Sequence, residues 1–304
     1  MATPQAAPLI GGGTALAGVL GDPVRHSLSP AMHNAAIAAL GLDWAYLALP
    51  VAAADLAMVL QGLEAIDCRG LNVTLPHKQA AAVLAQELTP LARRLGAVNT
   101  LVRRDGGGWL GHNTDVEGFL APLRSLAARE ALVLGCGGSA RAVVAGLVEL
   151  GLGRIRVAGR DSTRLGQFLA SCADWAPDLE PLAWGPGAAG EPDPLAEALA
   201  GADLVVNTTP MGMASGRDPA AAARSPLDPA QVALLRPDAT VYDLIYIPRP
   251  TTLLRLAGER GCRTIDGLEM LVQQGAASLR LWSGRPDVPV IAMRDAALAR
   301  LGAP

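Results

Sequence analysis

Val133-Leu134-Gly135-Cys136-Gly137-Gly138-Ser139-Ala140 is the stretch on which the fold turns. Residues 131–134 form a short apolar run that reads as a buried strand, and 139–150 reads as a helix. Between them Gly135, Gly137 and Ala140 take the marked positions of a G-x-G-x-x-[G/A] loop. The spacing has a physical basis: a tight turn, close approach of backbone to a pyrophosphate, and close packing of helix on strand. Free N–H groups at the helix start, where Gly138 and Ser139 lie, and the positive end of the helix dipole suit a phosphate. A glycine-rich turn that binds nothing is the plain alternative. The strand before, the helix after and a second strand at 154–158, about 20 residues on, argue against it.

The end of that second strand selects between dinucleotides. The run is Val157-Ala158-Gly159-Arg160-Asp161-Ser162-Thr163-Arg164. A carboxylate here pairs with the ribose hydroxyls of NAD, whereas an arginine accommodates the 2′-phosphate of NADP. Arg160, with Arg164 one helical turn on, suits a bidentate phosphate clamp. Asp161 speaks for NAD, or equally for an N-cap of the next helix. The balance favours NADP.

Further out, strand and helix alternate along the chain. Strands are expected at 16–20, 44–50, 70–75, 204–207 and 240–243, and helices at 31–40, 53–62, 78–87 and 267–282. Such alternation implies crossover connections and mostly parallel sheets. Segments 176–194 and 213–229, rich in Pro, Gly, Ala and Asp, read as irregular and mobile surface loops. The 304 residues suit two domains, with the boundary near 118–129. Half the residues are hydrophobic but only 3% are aromatic, so small and aliphatic side chains must fill the cores.

The net charge of −3 provides no basic field for nucleic acid and no polybasic segment for a membrane. No run approaches the roughly 20 apolar residues of a membrane span. Residues 1–13 lack a signal-peptide pattern and read as a loose tail. The four cysteines are scattered and expected to be reduced thiols. His26, His33, His77 and His112 lack ligand spacing, so no metal is expected.

Three polar clusters stand where a plain core would not place them. They are His26-Ser27-Leu28-Ser29-Pro30, Asn72-Val73-Thr74-Leu75-Pro76-His77-Lys78, and Gly96-Ala97-Val98-Asn99-Thr100 followed by Gly111-His112-Asn113-Thr114-Asp115. Hydroxyls, amides, an amine and a carboxylate beyond strand ends make a site for a polyhydroxylated acid. Each also has an ordinary reading. Ser29 before Pro30 looks like a helix N-cap, Lys78 like a solvated charge, Asn113-Thr114-Asp115 like a turn, and Met211 and Met213 like packing residues.

Taken together and in order, these motifs closely resemble the shikimate dehydrogenase family. The resemblance extends through Asn207-Thr208-Thr209-Pro210-Met211-Gly212-Met213, Tyr242-Asp243-Leu244-Ile245-Tyr246-x-Pro248 and Gly267-Leu268-x-Met270-Leu271-x-x-Gln274, and so covers almost the whole chain. It implies an α/β fold of two domains. A mostly parallel substrate-binding sheet, residues 1–120 with 266–304, would be joined to a Rossmann-like NADP-binding domain, 121–265, and a C-terminal helix would return to the first domain. It implies reversible NADPH-dependent reduction of 3-dehydroshikimate to shikimate by a cytoplasmic monomer or homodimer.

Position by position, Lys78 and Asp115 would be the catalytic pair. Ser27 and Ser29 would take the substrate carboxylate, Thr74, Asn99 and Gln274 the ring hydroxyls, and Tyr246 would lie near the substrate. Gly135, Gly137, Gly138, Ser139, Ala140, Arg160, Arg164, Thr208, Met211, Met213 and Gly267 would hold the cofactor. Where the family's NADP enzymes usually show Asn-Arg-Thr, this chain has Gly159-Arg160-Asp161. Two rivals follow: an NAD-dependent quinate/shikimate dehydrogenase, and a dinucleotide-binding sensor without turnover.

Overall fold

The computed structural model describes residues 10–185, 193–214 and 218–302. The expected N-terminal tail and parts of both expected loops lie outside that range. The chain divides into two compact units. One runs up to Gly118 and resumes at Leu271, and the other is Phe119–Met270.

The first unit is built on β1 (Ala15–Gly21), α1 (Ser29–Ala39), β2 (Trp44–Pro50), α2 (Leu56–Ala65), β3 (Gly70–Val73), α3 (Lys78–Leu84), β4 (Glu87–Leu88), α4 (Pro90–Leu95), β5 (Thr100–Arg103) and β6 (Trp109–His112). Its sheet has the order β2-β1-β3-β5-β6-β4. Pairing is parallel at β1–β2, β1–β3 and β4–β6, but the β5–β6 hairpin runs antiparallel beside β3. The helix expected over 78–87 is shorter, because Glu87 and Leu88 leave it to pair with Leu110 and Gly111. Leu20, Leu56, Leu60, Leu71, Val73, Val98, Leu101 and Trp109 pack beneath the sheet.

Helix α1 fixes the outer strand β2 in two ways. The Asn34 carboxamide donates to the Tyr46 carbonyl and accepts from the Tyr46 N–H, both at 2.9 Å. The buried His33 ring stacks on the Tyr46 ring at 4.0 Å and donates from Nδ1 to the Ser29 carbonyl. Burial lowers the His33 pKa to about 4, so the ring is neutral.

In the second unit β7 (Glu130–Leu134), α6 (Gly138–Glu149), β8 (Arg154–Gly159), α7 (Ser162–Cys172), β9 (Leu179–Ala183), α8 (Pro194–Gly201), β10 (Leu204–Asn207), α9 (Pro229–Ala233), β11 (Thr240–Asp243), α10 (Thr252–Arg260) and β12 (Arg263–Ile265) form a doubly wound unit. All its pairings are parallel, in the order β12-β11-β10-β7-β8-β9. Alternation along β7 explains the two layers. Leu132 and Leu134 enter one core, with Leu199, Val205 and Leu253, while Ala131 and Val133 enter the other, with Val143, Leu147 and Val206. Composition alone suggests a loop where β9 lies; register with β8 makes it the sheet edge. The unit boundaries fall inside α5 (Asp115–Leu120) and α11 (Gly267–Ser283), and α12 (Val290–Leu301) ends the first unit by packing on α1.

Candidate active site

Strand register brings the polar clusters of the first unit to one sheet edge. Leu20 lies opposite Val73 near the ends of parallel β1 and β3, the Val73 N–H donates to the Asn99 carbonyl, and Thr100 lies opposite His112. The segments carrying Ser27, Thr74, Asn99 and Asp115 therefore leave the sheet together. This is the carboxyl edge of β1 and β3, where open α/β sheets bind ligands.

Lys78 is the first residue of α3, and its Nζ donates to Asp115 Oδ2 at 2.7 Å. The pair is partly shielded, with side-chain exposures of 21% and 10%. The other oxygen, Oδ1, accepts from Asn99 Nδ2 at 2.8 Å. Asn99 Nδ2 also points at Gln274 Oε1, 3.4 Å away, while Gln274 Nε2 donates to the Leu271 carbonyl. Lys78, Asp115, Asn99 and Gln274 are thus one hydrogen-bonded group. A cation with a fixed counterion and amides behind it can protonate an oxygen as negative charge builds there.

Ser27 and Ser29 meet as well, but not as an N-cap. The cap residue of α1 is Leu28, with no side-chain cap bond, and Ser29 is already helical. The Ser29 N–H instead donates to Ser27 Oγ at 3.2 Å. Pro30 in the first turn removes one N–H, and the small side chains leave this corner polar. Thr74 is half-buried; its N–H donates to the Leu20 carbonyl and its own carbonyl accepts from the His77 N–H. Tyr246 lies in the other unit, half-buried, and burial raises its hydroxyl pKa.

In the second unit a groove of about 250 Å³ opens at the β7–α6 turn, lined by Gly135, Gly137, Arg160, Arg164, Trp184 and Thr208 among others. Gly135 has φ +104°, and a Cβ there would sit 2.8 Å from Thr208 Oγ1, so a side chain is excluded twice over. At Gly137 and Gly138 a Cβ would meet nothing within 4 Å, so the backbone borders open space at the start of the 12-residue α6. Ala140 is buried against the sheet. Open space at the start of a helix, beside the groove, fits a dinucleotide pyrophosphate.

The far end of the groove carries the cations. Asp161 caps α7, its carboxylate accepting the Arg164 N–H at 3.0 Å. The exposed Arg160 guanidinium lies 5.9 Å from the centre of the Trp184 ring. These side chains fit a 2′-phosphate. Thr208 donates to the Leu134 carbonyl at 2.8 Å, Met211 is half-buried and Met213 exposed. Gly267 has a role of its own. A Cβ there would collide with the Leu244 carbonyl oxygen, so only glycine permits this backbone contact.

Several residues of these two sites carry no role on sequence grounds. Cys136, Thr209, Pro210 and Trp184 border the groove. Burial, and then the nearby Asp161, raise the Cys136 thiol pKa. Asn72, Thr100, Thr114 and Ser278 are buried behind Asn99. The two threonines and Asn72 sit within the quoted polar clusters, which is a signal of sorts. Ser278 gives none beyond being polar one turn after Gln274.

Comparison with known proteins bears on both units. Residues 19–101 match the shikimate dehydrogenase substrate binding domain, and 267–298 the shikimate 5′-dehydrogenase C-terminal domain. A shikimate dehydrogenase (NADP(+)) of Synechocystis sp. is 50% identical over 300 residues, covering 97% of this chain and 98% of that protein. One from Synechococcus sp. is 50% identical over 293 residues, covering 96% and 98%. The solved shikimate 5-dehydrogenase of Thermus thermophilus, in complex with NADP(H) and shikimate, superposes with a TM-score of 0.80 at 35% identity, covering 95% of this chain and 100% of that one. With whole-length identity of this order, the same two-unit α/β fold and the motifs in register, the chain belongs to the shikimate dehydrogenase family.

Proposed function

We propose that this chain catalyses the reversible NADPH-dependent reduction of 3-dehydroshikimate to shikimate, a step towards chorismate and the aromatic amino acids. The observation that carries the reading is the Lys78–Asp115 contact at 2.7 Å, shielded at the sheet edge and backed by Asn99.

The nicotinamide, when bound, supplies the hydride in reduction and accepts it in oxidation. The residues do the rest. Negative charge builds on the C3 oxygen, and the Lys78 ammonium meets it by passing a proton from Nζ to that oxygen. In the reverse direction neutral Nζ takes the proton back. Asp115 keeps Nζ oriented through Oδ2 and accepts from a ring hydroxyl. Ser27 and Ser29 hold the substrate carboxylate, Thr74, Asn99 and Gln274 the ring hydroxyls, and Tyr246 lies near the substrate. Gly135, Gly137, Gly138, Ser139 and Ala140 hold the pyrophosphate, Arg160 and Arg164 the 2′-phosphate, and Thr208, Met211, Met213 and Gly267 border the nicotinamide half.

The case for NAD rests on Asp161, and that carboxylate is already engaged as a helix cap. The enzyme is proposed to act in the cytoplasm as a monomer or homodimer, which light scattering after size exclusion distinguishes. A steady-state assay with shikimate and either NADP or NAD tests the whole reading. Turnover with NADP is expected. Turnover with NAD alone overturns the cofactor assignment, and no turnover with either leaves a binding protein.

A further inference from the structure

Behind the Lys78–Asp115 pair lies a buried polar cluster that takes no direct part in the chemistry above. Its members are Asn72 on β3, Thr100 on β5, Thr114 ahead of α5 and Ser278 on α11. Thr100 and Ser278 are fully buried and Thr114 is 4% exposed. Among aliphatic strands this is an expensive place for hydroxyls, and it calls for a function.

Backbone groups fix the orientation of the two amides in the cluster. The Thr114 backbone N–H donates to Asn99 Oδ1 at 2.8 Å, and a backbone N–H can only donate. Asn99 therefore turns its oxygen inward, where Thr100 Oγ1 also reaches it at 3.0 Å. Its nitrogen must then face Asp115 Oδ1, 2.8 Å away. Asn72 is fixed by the same logic. Its oxygen accepts from the Tyr46 hydroxyl at 2.7 Å, and its nitrogen faces the Asn99 carbonyl at 3.2 Å and Ser278 Oγ at 2.9 Å. Ser278 Oγ, which accepts from Asn72, also lies 2.8 Å from Thr100 Oγ1, 3.2 Å from Thr114 Oγ1 and 3.0 Å from the Gln274 carbonyl, its one proton shared among these contacts. One hydroxyl thus ties together β3, β5, the α5 entry and the helix that carries Gln274.

We propose that Thr100, Thr114 and Ser278 are positioning residues for the reaction: they lock the Asn99 carboxamide with its nitrogen on Asp115, and so set where Asp115 holds the Lys78 amine. This rests on the proposed roles of Lys78 and Asp115. A carboxylate gripped at Oδ1 by an amide and at Oδ2 by an amine has little freedom to swing. Loosening the amide releases the carboxylate, and with it the amine's aim at the reacting oxygen. Substrate binding loses less, because Asn99 is the one proposed substrate contact that the cluster grips by its side chain, while Ser27, Ser29 and Thr74 are outside it.

The test uses two substitutions at one position in the full-length enzyme. Thr100→Val keeps the shape and removes the hydroxyl; Thr100→Ser keeps the hydroxyl and removes a methyl. The expected result is a kcat about ten- to a hundredfold lower for Thr100→Val, with KM for shikimate changed far less, as misplacement of catalytic groups produces. Thr100→Ser is expected to recover most of kcat even where its Tm is the lower of the two. Ser278→Ala, which removes the shared hydroxyl from a different element, is expected to repeat the kcat loss. The inference is overturned if kcat follows Tm across the three variants, or if Thr100→Val keeps kcat within about twofold of the parent. Absence of turnover in the parent enzyme would instead remove the functional reading itself, so the two failures are separable.

Discussion

The Asp161 carboxylate accepts the backbone N–H of Arg164 at 3.0 Å, which makes the one acidic residue at the end of β8 a helix cap. A carboxylate committed to an N-terminus is drawn away from a ribose, and the charge left at the groove is positive. On the proposed reading, the cofactor preference of the chain then depends on Arg160 and not on its acidic neighbour.

Asp161→Ala is therefore expected to lower stability by about 1 kcal/mol, the usual effect of losing a side-chain cap, while the enzyme still prefers NADP. Thermal melts and the ratio of kcat/KM values for NADP and NAD check the two halves separately. Arg160→Ala is expected to do the opposite: near-parental stability and a reduced NADP preference.

Trp184 gives the Arg160 guanidinium an aromatic face at 5.9 Å. An exposed contact of this type contributes roughly 0.5–1 kcal/mol, so Trp184→Ala is expected to weaken binding of adenosine 2′,5′-bisphosphate about two- to fivefold. Adenosine 5′-monophosphate, lacking the 2′-phosphate, should lose much less. Calorimetric titration of the two nucleotides against parent and variant measures the difference.

Lys78→Ala is expected to reduce kcat by about 10²- to 10⁴-fold in a folded protein, the range of a lost general acid–base. Asp115→Asn should also be slow for a geometric reason. Asn99 directs its nitrogen at position 115, and an amide there can satisfy that nitrogen and the Lys78 amine only through its single oxygen. Steady-state rates with a circular-dichroism spectrum for each variant decide the matter. A fast Lys78→Ala enzyme would sink the assignment.

Acid is expected to act oppositely on the two units. His33 has its pKa lowered to about 4 by burial, below its ordinary 6.5, so protons bind more readily to the unfolded chain. Stability from His33 is complete above pH 6.5 and declines as pH falls towards 4. Asp243 is also buried, with its pKa raised from 3.8 to about 6 despite hydrogen bonds from Thr251, the Ile245 N–H and Asn207. There the folded state holds the proton more tightly, and stability declines as pH rises from 3.8 through 6. His33→Phe should thus lower the stability at about pH 7 relative to pH 5 measured by urea unfolding, and Asp243→Asn should raise it.

The sequence is most legible where a backbone demand dictates residue type. The glycine loop, the apolar β7 and the 17-residue α11 all follow from such demands. The polar clusters are visible because Asn, Thr, Lys and Asp at strand ends have no place in an aliphatic core. Pairing is harder to see. Glu87-Leu88 and Leu179–Ala183 are strands because a neighbour offers a free edge, and no local pattern records that. Ser29 misleads in another way. Ser-Pro resembles a cap, but the helix begins one residue earlier and Ser27 takes the Ser29 N–H. The convergence of Asn72, Thr100, Thr114 and Ser278 joins four chain segments, the last some two hundred residues from the first, and only tertiary packing reveals it.

The Asn34 carboxamide on Tyr46 has a consequence beyond the fold of one chain. Strand β2 is the outermost strand of its sheet, and an outermost strand offers a template on which a foreign β-segment can polymerise. Near its start that template is already filled, at Tyr46, by a side chain that imitates a peptide group, donor for donor and acceptor for acceptor. An intruding strand would find both backbone groups of Tyr46 taken. The adjacent His33 anchors the same tyrosine by its ring, so the dipeptide that completes the interior also makes the sheet a poor seed for aggregation.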